Sequence, residues 1–117
     1  MREIQQTYHI PGTLTADLVI AFAAAEGMTL KHVSTYNNGE CDGTFTLGDA
    51  SNPAAHMAMQ YMATGSGDPA QYSREDFVNK DYPHIEKGET FRILIDYDGT
   101  AGVAAKDLTL VLTFAVG

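Results

Sequence analysis

Residues 106–116, KDLTLVLTFAV, decide the fold class. Leu108, Leu110, Leu112, Phe114 and Val116 fall on one face of an extended chain, with Thr109, Val111, Thr113 and Ala115 on the other. A period of two over so many residues is the mark of a β-strand with one face in a core. A helix would scatter the same leucines around its circumference.

The pattern repeats just upstream. In residues 90–97, TFRILIDY, Phe91, Ile93, Ile95 and Tyr97 share a face, and Lys87-Gly88-Glu89 supplies a turn before them. Residues 28–36 are rich in Thr, Val and Tyr and run into Asn37-Asn38-Gly39, a strong turn signal. Phe45 and Leu47 alternate with Thr44 and Thr46 between Gly43 and Gly48. Residues 18–24, LVIAFAA, are apolar on both faces and read as a strand buried in the middle of a sheet. Helix is the competing reading there, because of the alanines. Residues 3–10 read as an edge strand or arm that stops at Pro11-Gly12 and can pair with a neighbouring subunit or with its own sheet.

The middle of the chain is less regular. Asn52-Pro53 resembles a helix N-cap followed by proline, and Met57 with Tyr61 has helical spacing, yet Met57, Met59 and Tyr61 also alternate like a strand. Both readings stand. Ser73-Arg74-Glu75-Asp76 can cap a single helical turn. Short strands separated by Gly, Asn, Asp and Pro turns predict an all-β, jelly-roll-like antiparallel β-sandwich, with a short helix or irregular excursion in the middle. Residues 1–14 form an N-terminal arm or edge strand, and 15–117 a single domain.

Composition narrows the function. Seven basic against 15 acidic residues give a formal charge of −8 over 117 residues, which repels nucleic-acid phosphates and anionic lipid alike. Cys41 is the lone cysteine and cannot form an intrachain disulfide. Residues 1–12 lack an apolar signal-peptide core, and the longest mostly apolar run is too short to span a bilayer. The expectation is a soluble protein of cytoplasmic origin that binds neither nucleic acid nor membrane.

Catalytic motifs are incomplete. ILIDYDGT, residues 93–100, resembles the opening motif of haloacid dehalogenase-type phosphatases, in which the first Asp is the nucleophile and the second a general acid/base. That motif ends a strand of a parallel sheet, and too little chain follows to deliver the remaining catalytic residues. Asp96, Asp98, Thr100 and Asp107 match positions of an EF-hand count, but Ala101 replaces the turn glycine. Asp96, Asp98 and Asp107 are therefore weak cation candidates, and no cofactor motif is present. His9, His32, His56 and His84 are scattered, and Cys41 lies among acids that disfavour its thiolate. Met57, Met59, Met62 and Tyr61 suit a core or an adaptable contact surface, and Tyr36, Tyr72 and Tyr82 near turns suit stacking on sugars.

Taken together, the turn and short strand DGTFTLGDAS, the polar excursion, and then IEKGETFRILIDYDGTAGVAAKDLTLVLTFAVG resemble the small jelly-roll proteins that decorate or cement tailed-phage capsids. The resemblance implies a non-enzymatic virion protein, made in the host cytoplasm. It implies a homo-oligomer, a trimer, bound to the major capsid protein on the outer capsid surface, where it stabilises the shell. Ile4, Tyr8 and Ile10 are then the candidate interface residues of the N-terminal arm. The alternative is a carbohydrate- or ligand-binding β-sandwich module.

Overall fold

A computed structural model describes residues 2–37, 43–62, 69–96 and 106–116. Their strands are β1 (Arg2–Thr13), β2 (Leu18–Ala23), β3 (Met28–Tyr36), β4 (Thr44–Gly48), β5 (Met57–Tyr61), β6 (Ala70–Tyr72), β7 (His84–Ile85), β8 (Thr90–Asp96) and β9 (Lys106–Val116). All pairings are antiparallel. One sheet has the order β1-β9-β3-β6, with β7 also on β3, and the other β2-β8-β4-β5.

The order has a simple logic. Leaving out the two-residue β7, the first strand pairs with the last, the second with the second-last, the third with the third-last, and the fourth with the fifth. That is one long hairpin rolled until its two ends of pairs alternate between facing sheets, which is a jelly roll.

The core fills the space between the sheets with the alternating residues seen in the sequence. Leu108, Leu110, Leu112 and Phe114 of β9 face Phe91, Ile93 and Ile95 of β8, and all are essentially inaccessible to solvent. Each such side chain contributes about 1.5–3 kcal/mol of transfer free energy. Phe91 is the hub of an aromatic cluster, 5.5 Å from Phe22 and 5.5 Å from Phe114, the latter edge-on. Thr35 is the polar exception on the inner face of β3, and its hydroxyl donates to the Met62 carbonyl at 3.1 Å. Tyr97, Cys41 and the Asn38-Gly39 turn lie outside the described residues.

Two expectations need correction, and one open alternative is resolved. Residues 18–23 do form a strand, but β2 is a sheet edge, with only β8 beside it. Its burial alternates, because Val19, Ala21 and Ala23 face solvent while Leu18, Ile20 and Phe22 turn inward. Small alanines at solvent positions made both faces look apolar. The helical alternative around residues 53–62 gives way to strand β5, and Asn52 uses its side chain to accept the Ala54 N–H at 3.0 Å in a local turn. Finally, β1 does not stop at Pro11-Gly12. It continues to Thr13 after a register shift beyond Ile10. Gly12 takes φ +79°, and its N–H donates to the Asp107 carboxylate at 2.7 Å, which ties the strand end down.

The polar excursion becomes two 3-10 turns, Arg74–Asp76 and Val78–Lys80. The capping signal at Ser73 is read correctly in one respect, since Asp76 accepts the Ser73 N–H at 2.9 Å.

The loop between β4 and β5 carries a pH-sensitive element. The His56 ring stacks on Phe91, 5.7 Å away and nearly parallel. Burial holds its pKa below the ordinary 6.5, against the weaker pull of Asp49 and Glu89. Asp49 is held low by N–H groups of Asn52 and Ser51 and by the Ser51 hydroxyl. A histidine that resists protonation when folded gives stability that is complete above about pH 6.5 and declines as pH drops below that value. The Asp49 contribution is lost in a lower window, below the ordinary carboxylate value of 3.8. Urea unfolding midpoints are therefore expected to fall between pH 7 and pH 5, and His56→Phe is expected to remove most of that slope. An unchanged slope in the variant would assign it to other groups.

Candidate interaction surface

The rolled hairpin leaves one side of the sandwich open. There β1 and β2 form adjacent edges of the two sheets, and each has a single neighbour. Ile4, Tyr8 and Ile10 stand opposite Phe114, Leu110 and Leu108, so they belong to the inner face. Leu18, Ile20 and Phe22 stand opposite Ile95, Ile93 and Phe91 in the same way. These six pack against the core yet remain only partly buried. Their partners in the middle of the sheets are almost fully enclosed, and the contrast comes from the missing neighbour strand. A cavity of about 130 Å³ opens between Ile4 and Gln6 on one edge and Phe22 and Ala24 on the other. Burial raises the Tyr8 pKa, and its hydroxyl donates to Gln6 Oε1 at 3.1 Å. The Arg2–Glu26 ion pair, 2.6 Å long, lies at the same end with both groups exposed. Such a pair contributes at most about 1 kcal/mol.

The outer face of the β2-β8-β4-β5 sheet is the second apolar feature. Val19, Leu94 and Thr46 are in register across three strands. A register shift in β5 sets Ala58 and Met59 opposite Thr46, and Tyr61 follows opposite Thr44. Val19, Met59 and Tyr61 are 58%, 56% and 62% exposed, among the most open large apolar residues described. Val19 and the Met59–Tyr61 pair mark opposite edges of one sheet. The outer face of the other sheet is polar and nearly uncharged. His9 and Thr109 share a hydrogen bond of 2.9 Å there, as do Thr29 and His84 at 3.1 Å.

The phosphatase motif lacks its structural context, and the calcium candidates are described only in part. Asp96 ends β8, which is antiparallel to both neighbours, so the parallel context of the phosphatase motif is missing. Asp107 opens β9 in the other sheet, with φ +51° and its carboxylate on Gly12. Asp98 and Thr100 lie outside the described residues. Among those described, no group of three His, Cys, Asp or Glu side chains is placed to hold a metal ion. No helix among them is long and apolar enough to cross a membrane. Of the tyrosines suited to sugars, Tyr72 is buried with its hydroxyl donated to the Tyr61 carbonyl, whereas Tyr36 and Tyr82 are open. Met57 and Met62 are core residues, and Met59 is surface.

Leu18, Ile20 and Phe22 are the surface residues that sequence reasoning misplaced. The signal was present, since every second residue of LVIAFA from Leu18 is large and the last two between them are alanine.

No protein-family model matches the sequence, and neither does any curated protein sequence. A solved structure does share the architecture. A chain of the cyanophage Pam1 capsid asymmetric unit superposes with a TM-score of 0.55 at 13% identity, covering 99% of this chain and 84% of that one. The periplasmic g-type lysozyme inhibitor PliG of Aeromonas hydrophila superposes more loosely, with a TM-score of 0.43 at 11% identity, covering 97% of this chain and 86% of that one. The fold expected from the sequence, a β-sandwich of the kind found in phage capsids, is the fold observed.

Proposed function

We propose that this protein is a non-enzymatic structural component of a phage virion, which decorates the outer surface of the capsid as a trimer and stabilises it. The observation that carries the reading is the likeness in fold, over essentially the whole chain, to a chain of the Pam1 capsid assembly. The surface chemistry supports it. Partly covered core residues along β1 and β2 are a poor surface for a solitary protein, because unprotected edges invite pairing.

The trimer contact joins two different patches. The open side of one copy, with Ile4, Tyr8 and Ile10, meets the Met59–Tyr61 edge of the next. The two patches lie on edge strands of different sheets, so their contact is head-to-tail, and a rotation of a third of a turn between copies closes it into a ring of three. The acidic balance keeps the protein on the solvent side of the shell, away from packaged nucleic acid. Weak contacts of the three copies with the major capsid protein add through multivalency.

Light scattering tests the assembly. The wild-type protein is expected at three chain masses, and Tyr61→Lys, at an exposed position where a substitution changes stability by about 0.5 kcal/mol or less, is expected as a folded monomer. A wild-type protein that stays monomeric at millimolar concentration would overturn the trimer.

A further inference from the structure

The irregular segment between β6 and β7 is more elaborate than a connection requires. Asn79 and Lys80 both adopt left-handed backbone, with φ of 60° and 52°. Asparagine enters that region readily, but lysine is strained there, and a turn that only joined strands would relieve this with glycine. The strained turn is held from several directions. Arg74 Nε donates to the Lys80 carbonyl at 3.0 Å, the Val78 N–H donates to the His56 carbonyl at 3.0 Å, and Phe77 is anchored in the core.

The result is an open concavity of about 490 Å³, lined by Ser73, Arg74, Glu75, Lys80 and Tyr82. Its volume is within the range of small-ligand sites, roughly 300–1,000 Å³. Lys31 adds a third cation beside it, with Nζ 4.2 Å from the centre of the Tyr82 ring. Of the seven basic residues of a chain with charge −8, two thus line one hollow and a third sits on its tyrosine. Acids are present too. Asp76 and Asp81 accept the N–H groups of Ser73 and Tyr82, and Glu75 lines the hollow itself.

We infer that this hollow binds an acidic saccharide, a sugar bearing a carboxylate. Arg74 presents a planar fork suited to a carboxylate, and Lys80 adds a compact charge. Ser73 and the Glu75 carboxylate match the hydroxyl groups of a sugar ring, and Glu75 disfavours the denser charge of a phosphate. Tyr82 is 38% exposed, and the part of its ring not covered by Lys31 suits the apolar face of a sugar. The inference is independent of capsid association.

Calorimetric titration with oligogalacturonate, and with its methyl-esterified neutral form, tests the site. The acidic form is expected to bind at least ten-fold more tightly than the neutral one. Arg74→Gln is expected to weaken acid binding ten-fold or more, and Tyr82→Ala to weaken both forms. Lys80→Gly separates binding from folding, because it relieves the backbone strain while removing a cation. It is expected to raise the unfolding temperature and lower affinity together. Absence of binding at millimolar ligand, or wild-type affinity in both Arg74→Gln and Lys80→Gly, would overturn the site.

Discussion

Phe91→Ala is expected to lower the unfolding free energy by about 3–5 kcal/mol, the cost of emptying a fully enclosed aromatic position. Domains of this kind are stable by only about 5–15 kcal/mol in total, so the variant will be largely unfolded under mild denaturant. The position is severe because Phe91 joins four parts of the fold. It lies on β8 with no exposed surface, against Phe22 of β2, Phe114 of β9 and His56 of the β4–β5 loop. The two sheets therefore meet at this ring. Urea unfolding followed by tyrosine fluorescence or circular dichroism reads the effect, and a loss below about 1 kcal/mol would mean that the cluster is not the centre of the core.

Gly48→Ala carries the second large effect, for a different reason. A Cβ at this position would stand 2.1 Å from the Asn52 carbonyl oxygen and 2.4 Å from the Pro53 carbonyl carbon. Both are backbone atoms of a loop that returns its own hydrogen bonds, with the Asp49 N–H on the Asn52 carbonyl at 3.0 Å and the His56 N–H on the Leu47 carbonyl at 2.9 Å. No side-chain rotation relieves that clash, so the loop must leave its seat. Overpacking of this kind costs about 1–3 kcal/mol or more. Because the same loop holds His56 over Phe91, the substitution is also expected to weaken the fall in stability between pH 7 and pH 5. Wild-type melting in Gly48→Ala would contradict the placement of residues 49–56.

The strands with one buried face were legible because burial writes itself into the sequence at a period of two. β8 and β9 show it in Ile93, Ile95, Leu110 and Leu112, and the structure buries each of them. Pairing was not legible. Arg2 opposite Val116 and Leu18 opposite Ile95 are contacts between distant parts of the chain, and no local residue pattern names the partner. β5 was ambiguous because Met, Ala and Gln are good helix formers, and its strand state is imposed by pairing with β4. The surface features divide in the same way. Ile4, Tyr8 and Ile10 were visible as an apolar row, but their counterparts on β2 depended on knowing that β2 is an edge. The hollow joins Arg74, Lys80 and Tyr82 of the β6–β7 segment to Lys31 of β3, and the local pattern showed Ser73-Arg74-Glu75-Asp76 only as a capping signal and Tyr82 only as an aromatic near a turn.

The proposed place of this jelly roll is the outside of a capsid. Purified protein mixed with intact capsids that lack it, then sedimented, tests this most directly. Saturable co-sedimentation in multiples of three chains per site, with the bound capsids surviving heating that opens the bare ones, is the predicted result. Protein that remains in the supernatant at every concentration, with capsids no more heat-resistant than before, would contradict the account.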